Sequence, residues 1–429
     1  MRTLGSLFAL ALALALAHRF TAGAPVAARA ALALGVLIVG AELAGRAALR
    51  WRLPRVSGYV AAGLVLGPGW LGAARLDEVE LLRFVADAAL ALFALRAGLA
   101  WRPDHDGAVT GLGRFLATSI ILPFACTTAV VYSVHPWFPL TVHQPSRDAI
   151  AVALVFGAFT VVAAPALVWA TLADAPGGAL GDAVLRLNAL RDVAAVALFA
   201  AALAVARPLA SAGALQPAAF GGPLLVLGAS AAAGGLLAWL AGRLRRRIGA
   251  DPGVFALGIA FGAAIAGWLG PVEVTLAALV AGIALARADD AAATALRARF
   301  DISGSALAAG AFALLGARLD TAAVVDLWPW ILLLAALRAV GLYWGGRWAA
   351  RGPLVTADLA RSGWLGLISQ AGVGLLLAAA GRRAFPEWGV SFEGLAVALV
   401  ALHAVVGPIC LRQALVRRPA LTEGVAGGT

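Results

Sequence analysis

Long apolar segments recur from one end of the chain to the other, separated by short loops that carry most of the charged residues. Most segments approach the roughly 20 residues that an α-helix needs to cross the hydrocarbon core of a bilayer. The pattern predicts an all-α polytopic membrane protein with about 13 to 14 transmembrane helices. The predicted segments are 4–20, 28–50, 56–72, 78–100, 111–134, 148–172, 182–206, 222–243, 253–269, 272–287, 301–318, 326–349, 360–380 and 392–416.

Composition supports this prediction. The 429 residues are 62% hydrophobic and 13% charged, whereas soluble domains average about half apolar and about a quarter charged. Short segments of alternating hydrophobicity, the signature of a transmembrane β-barrel, do not occur. The lipid bilayer is therefore the expected surrounding of almost the whole chain.

The net charge of +11 comes entirely from arginine, because the sequence contains no lysine. The arginines are concentrated in every second loop along the chain, which is a topology signal and not a nucleic-acid-binding pattern. One side receives the arginines near 46–55, 102–114, 243–247, 287–299, 347–361 and 412–418. The other side receives only Arg19, Arg29, Arg75, Arg147, Arg207, Arg318, Arg382 and Arg383. The positive-inside rule then places both termini in the cytoplasm, and we expect a multi-pass protein of a bacterial inner membrane.

Residues 1–429 are expected to form one transmembrane transporter domain. Residues 1–27 are either an extra N-terminal helix or a signal-like segment, and the alternation of charge favours the helix. The pattern leaves no segment for a soluble regulatory domain, and no phosphate-binding loop, metal-ligand spacing or nucleophile motif occurs. We therefore expect neither an enzyme nor a nucleotide-binding protein.

Two parts of the chain are weakly similar. Residues 58–67 (GYVAAGLVLG) and 277–286 (AALVAGIALA) lie seven segments apart. An odd offset means that the two halves insert in opposite orientations, as in many secondary transporters. We predict inverted repeats at about 56–206 and 272–416.

The same offset pairs two segments that are interrupted near mid-span. Pro165 follows TVVAA in one, and SQAGVG occupies 369–374 in the other. Proline removes a helical hydrogen bond and clashes with the preceding turn. Interrupted helices in matching places of two inverted halves are typical of a midplane ion site; the alternative is a pair of kinks that serve packing.

At these residues the chain resembles the monovalent cation:proton antiporters, specifically the Kef-like, sodium–proton exchanger branch. The resemblance covers about 28–416 and rests on the order of six motifs. They are 54–71 (PRVSGYVAAGLVLGPGWL), 92–99, GAFTVVAAPA, LNALRDVA, VAGIALAR and SGWLGLISQAGVGLLLA. The resemblance implies an antiporter fold with two crossed interrupted helices, an elevator-type movement and a homodimer.

The segment RLNALRDVAAVALF carries Arg191 and Asp192 at a depth where charge is costly, and such residues are functional by default. The resemblance implies that Asp192 is the acid that binds cation and proton in competition. Asp192 matches the second acid of a pair in relatives, and Arg191 stands where those relatives carry the first residue of the pair, an Asp or an Asn. Asn188 lies four residues before Asp192 and shares its helix face, whereas Arg191 points about 100° away.

Other groups complete the predicted site. Thr160, Ser369 and Gln370 are candidate oxygen ligands beside Asn188 and Asp192, and Asp192 is the candidate ligand of the monovalent cation. Arg191, Arg338 and Glu273 are predicted to balance charge. The resemblance supplies the role of Arg338, and Glu42, Asp87 or Glu273 is a candidate partner for Arg191.

The sequence thus predicts a secondary antiporter that exchanges Na⁺ or K⁺ for H⁺ without a cofactor. Two alternatives stay open. Arg191 and Arg338 suit an organic or inorganic anion, because a guanidinium matches a carboxylate or phosphate. The replaced first acid also permits a non-transporting relative that acts as a sensor.

Overall fold

A computed structural model describes residues 23–99, 108–142, 144–175, 178–211, 218–248, 251–288, 294, 296, 306–319, 322–352 and 355–416. Within these ranges the chain is almost entirely helical and contains no strand. The predicted first segment, 4–20, and the possible signal-like sequence lie outside the described residues.

The helices are α1 (Val26–Arg50), α2 (Arg55–Leu66), α3 (Leu76–Leu81), α4 (Arg83–Leu99), α5 (Ala108–Ser133), α6 (Ser146–Phe159), α7 (Pro165–Asp174), α8 (Gly178–Ser211), α9 (Ala218–Ile248), α10 (Pro252–Leu269), α11 (Val274–Ala288), α12 (Ala306–Ala317), α13 (Ala322–Ala349), α14 (Ala357–Ser362), α15 (Gly372–Ala384) and α16 (Gly389–Val416). A 3₁₀-helix, Gly363–Leu367, follows α14.

The predicted segments from 28–50 onward each coincide with a helix or a pair of helices. Two differences have local causes. The segment 56–72 ends as a helix at Leu66, because Gly67 precedes Pro68 and a residue before proline disfavours helical dihedrals. The segment 78–100 divides at Leu82 into α3 and α4.

Six helices of the described chain are long and apolar enough to cross a membrane, namely α1, α5, α8, α9, α13 and α16. The stretch from α14 to α15, bent by 50° at its break, counts as a seventh span. Helices α2, α10, α11 and α12 are apolar but shorter. The prediction of an all-α polytopic membrane protein is confirmed.

Helix α2 packs against α12 through small residues. A Cβ atom at Gly63 would collide with the carbonyl oxygen of Ala313, and one at Gly316 would collide with that of Val60. Glycine at both positions lets the two backbones touch, as small residues do in membrane helix pairs.

Helix α4 packs against α11 by the same contact. A Cβ atom at Gly282 would collide with the carbonyl oxygen of Leu95, and one at Gly98 with that of Leu279. Gly63 and Gly282 are equivalent positions of the two similar motifs. The contact of α2 with α12 thus recurs as the contact of α11 with α4, which is what the predicted inverted repeat requires.

The buried core surrounds α6 and α7. Every residue from 151 to 168 except Leu154 is buried, so this interrupted segment is enclosed by protein on all sides. Irregular backbone at membrane depth is tolerated only in such a position or beside a water-filled cavity. The fold thus places the first predicted interruption at its centre.

Candidate functional site

The first interruption lies between α6 and α7. Helix α6 ends at Phe159 and α7 begins at Pro165, so residues 160–164 leave the helical ladder. Proline suits the first position of a helix because its missing N–H would have no intrahelical partner there. The sequence signal of the proline therefore marks the start of a second half-helix and not a simple kink.

The second interruption lies between the 3₁₀-helix, which ends at Leu367, and α15, which begins at Gly372. The amide nitrogen of Gln370 donates to the carbonyl oxygen of Phe159 over 3.3 Å. The two interruptions therefore meet, as the predicted crossing of interrupted helices requires.

Arg338 of α13 joins both interruptions through backbone carbonyls. Its guanidinium donates to the oxygen of Thr160, to that of Val162 at 2.7 Å and to that of Leu367 at 2.8 Å. Longer contacts of 3.3 and 3.5 Å reach Ile368 and Ser369. Buried carbonyls that helix breaks leave unpaired need donors, and this one side chain supplies them to both breaks.

Asp192 lies on α8 beside the first interruption. Its Oδ1 accepts the backbone N–H of Ala163 at 3.0 Å, and only 5% of the residue is exposed. No arginine of the described chain comes within the 4.0 Å ion-pairing distance of this carboxylate. Asp192 is thus a buried acid with one hydrogen bond and without a direct counter-ion.

Arg191 points to the second interruption. Its Nη1 donates to the carbonyl oxygen of Leu367 at 3.0 Å, while its Nε and Nη2 have no partner among the described residues. Its predicted acidic partners are engaged elsewhere: Glu42 pairs with Arg46, Asp87 with Arg318, and Glu273 receives hydrogen bonds around α11. A backbone carbonyl thus replaces the carboxylate we expected.

The predicted oxygen ligands differ in the hydrogen bonds that they form. The Thr160 hydroxyl donates to Gly157 O at 2.7 Å, and the Asn188 amide nitrogen donates to Val184 O and Gly366 O at 2.8 and 3.0 Å. Asn188 Oδ1 and the hydroxyl of Ser369 are buried without a partner in the described chain.

Gln370 connects the first interruption to His403, a residue that the sequence did not place at the site. His403 of α16 donates from Nδ1 to Gln370 Oε1 at 2.7 Å, and the other end of the amide binds Phe159. His403 was not among the predicted site residues. A histidine among apolar residues carries no signal for its partner, because that partner is 33 positions away.

Glu273 precedes α11 and caps its first turn. The Thr275 hydroxyl donates to both carboxylate oxygens at 2.7 and 2.8 Å, and the backbone N–H of Leu276 donates to Oε2. The Glu273 carboxylate has no ionic partner among the described residues, although only 7% of the residue is exposed. Thr275 was not among the predicted site residues.

Two cavities approach the interruptions. Asp192 lines a cavity of about 20 Å³ together with residues of both breaks and with Thr275, a size that accommodates a single water-sized particle. A larger cavity of about 330 Å³ lies beside it and is lined by Glu273 and by the charged residues Arg83, Asp87, Arg318 and Arg383. Leu90, Thr275, Leu315 and Gly372 line both cavities.

The site is therefore a buried carboxylate at the meeting point of two interrupted transmembrane helices, next to a polar cavity. This combination is typical of secondary ion transporters. The family model described as "Sodium/hydrogen exchanger, transmembrane" matches residues 33–416 of this chain. The chain belongs to the sodium/hydrogen exchanger family, so it is a membrane transporter of the cation:proton exchange class and not an enzyme.

Solved structures agree with this assignment at the level of the fold. A structure of the sodium proton antiporter MjNhaP1 from Methanocaldococcus jannaschii at pH 8 has a TM-score of 0.62 and 15% identity, covering 90% of this chain and 98% of that one. An electron microscopy structure of the same antiporter has a TM-score of 0.67 and 16% identity, covering 89% and 94%. No curated protein matches the sequence.

Proposed function

We propose that this protein exchanges a monovalent cation, Na⁺ or K⁺, for protons, with Asp192 as the group that carries either one. The observation that carries this proposal is the position of the Asp192 carboxylate in a cavity formed by both helix interruptions. Of the described residues that line this cavity, Asp192 is the only ionisable one. A proton on Asp192 and a cation bound to it exclude each other, so their competition couples the two fluxes.

The lining of the cavity favours a smaller cation site than the sequence suggested. Asp192 and Thr275 line the cavity, whereas Asn188, Thr160, Ser369 and Gln370 do not. Na⁺ and K⁺ prefer oxygen ligands, as other hard cations do. We therefore assign cation contact to Asp192 and Thr275, and assign support of the two interruptions to Gln370 and Asn188.

Transport requires that Asp192 become accessible from both sides of the membrane. Arg338 binds carbonyls of both interruptions, so we expect the crossed half-helices to move as one unit. We propose that this unit moves relative to the remaining helices in an elevator-type cycle and that the protein works as a homodimer. Cysteine cross-linking between the crossed half-helices and the remaining helices, compared between cation gradients of opposite direction, tests the movement.

The larger cavity supports a proposal for the side of the membrane from which the site is reached. Arg318 and Arg383 lie in or next to loops that the charge alternation places outside, and they line this one cavity together with Glu273, which precedes α11. We propose that the structure represents an outward-facing state in a bacterial inner membrane, with both termini in the cytoplasm. Labelling of single cysteines at these loops in intact cells tests the orientation.

The anion alternative is less well supported. Neither Arg191 nor Arg338 lines the cavities that reach Asp192, and Arg338 already donates to several carbonyls. In the smaller cavity an anion meets the Asp192 carboxylate, which is the only ionisable group among the described residues that line it. The flux experiment below distinguishes a transporter from a non-transporting relative.

The decisive experiment measures proton flux in proteoliposomes that contain an internal pH dye. Pulses of Na⁺ and then K⁺ are applied to wild type, to Asp192→Asn and to the exposed control Asp358→Asn. We expect a cation-evoked pH change in wild type and in the control, and none in Asp192→Asn. Exchange that survives in Asp192→Asn contradicts the assignment of Asp192, and absence of exchange in folded wild type with both ions contradicts antiport.

A further inference from the structure

The larger cavity contains a second carboxylate whose charge is unmatched by a direct ion pair. Asp87 is neutralised there by Arg318 at 2.7 Å and by Arg83 at 3.6 Å. Glu273 has no such partner in the described chain. Hydrogen bonds at the start of α11 partly offset the cost of burying this carboxylate, and a mobile cation or a proton neutralises the charge that remains.

The surroundings of Glu273 offer further oxygen. The Thr275 hydroxyl uses its proton in the hydrogen bond to Glu273, which leaves its oxygen lone pairs available as a ligand. A Cβ atom at Gly372 would lie 3.5 Å from Glu273 Oε1 and 3.5 Å from Thr275 Oγ1. The pair therefore stands directly against the first residue of α15, at the second interruption.

Thr275 also connects this position to Asp192. It lines both the cavity that contains Asp192 and the cavity that contains Glu273. With Arg191 and Arg338 buried nearby, Asp192 alone leaves the site with an excess of positive charge, which opposes cation entry. Among these four buried groups, the charge of Glu273 restores the balance.

We infer that Glu273 and Thr275 form an outer binding site for the monovalent cation, which the cation occupies before it reaches Asp192. This inference deepens the proposed function and rests on it for the direction of transport. The site's ligands are a carboxylate and a hydroxyl oxygen from the start of α11. Its occupant is Na⁺ or K⁺, because the described residues that line the cavity supply a single unpaired carboxylate and no cluster of acids for a divalent ion.

Cation binding to purified protein tests the inference independently of transport. Thermal unfolding is measured in NaCl, in KCl and in choline chloride at equal ionic strength, since a ligand of the folded state raises its stability. The proteins are wild type, Asp192→Asn, Glu273→Gln, the double variant, and the exposed control Glu80→Gln. Glutamine at 273 keeps an oxygen that accepts from Thr275 and Leu276, which preserves the helix cap.

We expect Asp192→Asn to retain a Na⁺- or K⁺-specific rise in unfolding temperature and the double variant to lose it. No cation-specific rise in Asp192→Asn, or a rise that persists in the double variant, overturns the outer site. A rise in Asp192→Asn without any exchange by wild-type proteoliposomes supports the outer site while contradicting antiport. Exchange by wild type without that rise in Asp192→Asn supports antiport and contradicts the outer site.

Transport kinetics add a readout that a helix cap alone would not change. In Glu273→Gln the apparent KM for the cation should rise roughly tenfold or more, because the approaching cation loses a direct negative charge. The maximal rate should stay close to that of wild type. Thr275→Val, which keeps the carboxylate and removes the hydroxyl, should raise KM less. An unchanged KM in both variants overturns the inference.

Discussion

Substitution of Arg338 tests whether its guanidinium holds the two helix interruptions together. In Arg338→Met the apolar side chain fills a similar volume but donates no hydrogen bond. The oxygen of Leu367 keeps the donor from Arg191 at 3.0 Å, whereas those of Thr160 and Val162 lose the donor that Arg338 supplies. At about 1–3 kcal/mol for each buried group left unpaired, the expected loss of stability is about 2–6 kcal/mol.

The assay is thermal unfolding in detergent, followed by the fluorescence of the 13 tryptophans. Arg338→Lys should lie between wild type and Arg338→Met, because an ammonium keeps the charge but lacks the planar fork that reaches several carbonyls. Arg347→Ala, an exposed arginine on the same helix, should unfold like wild type.

A double-variant cycle separates this structural role from direct charge pairing with Asp192. If Arg338 acts on the carbonyls, the effects of Arg338→Met and Asp192→Asn should add within about 0.5 kcal/mol. An unfolding temperature of Arg338→Met equal to that of wild type refutes the reasoning. So does recovery of stability when Asp192→Asn is added, since that result would make Arg338 mainly a counter-ion.

Two further substitutions probe packing and charge. Gly282→Leu should prevent stable folding, because any Cβ atom there meets the backbone of α4, and the loss should be seen as disappearance of the monodisperse peak in size-exclusion chromatography. The control Gly258→Leu on α10 should fold, because Gly258 has open space around it. Equal behaviour of the two variants would contradict the close packing. Arg191→Met should fold with stability equal to or above that of wild type, because burial of a guanidinium that forms one hydrogen bond is costly. The same substitution should lower the KM for the cation in proteoliposomes, and a higher KM would show that Arg191 assists cation binding.

The helical segments and the two interruptions were predictable because they depend on local properties. Apolar length determines which segments cross a bilayer, and Pro165 or the run SQAGVG breaks a helix by its own backbone chemistry. The family assignment followed from the order of such motifs along the chain. The boundaries of the repeats, 56–206 and 272–416, remain predictions that the equivalent contacts of Gly63 and Gly282 support.

The partners of the charged residues were not predictable in the same way. Arg191 was expected to find an acid, and it binds the carbonyl oxygen of Leu367 instead. Backbone carbonyls are identical at every position of a sequence, so a side chain that binds one leaves no trace in the residue pattern. The same reason hid the role of Arg338 as a donor to carbonyls of both interruptions.

The sequence by itself determined the class of protein, the approximate spans and the presence of an acid, Asp192, at membrane depth. Only the tertiary structure decided which groups surround that acid. It turned Gln370 toward His403 and brought Thr275 and Glu273 to the cavity. Span and polarity are properties of short segments, whereas a binding site is made where distant helices meet, and its membership depends on distances that no local pattern records.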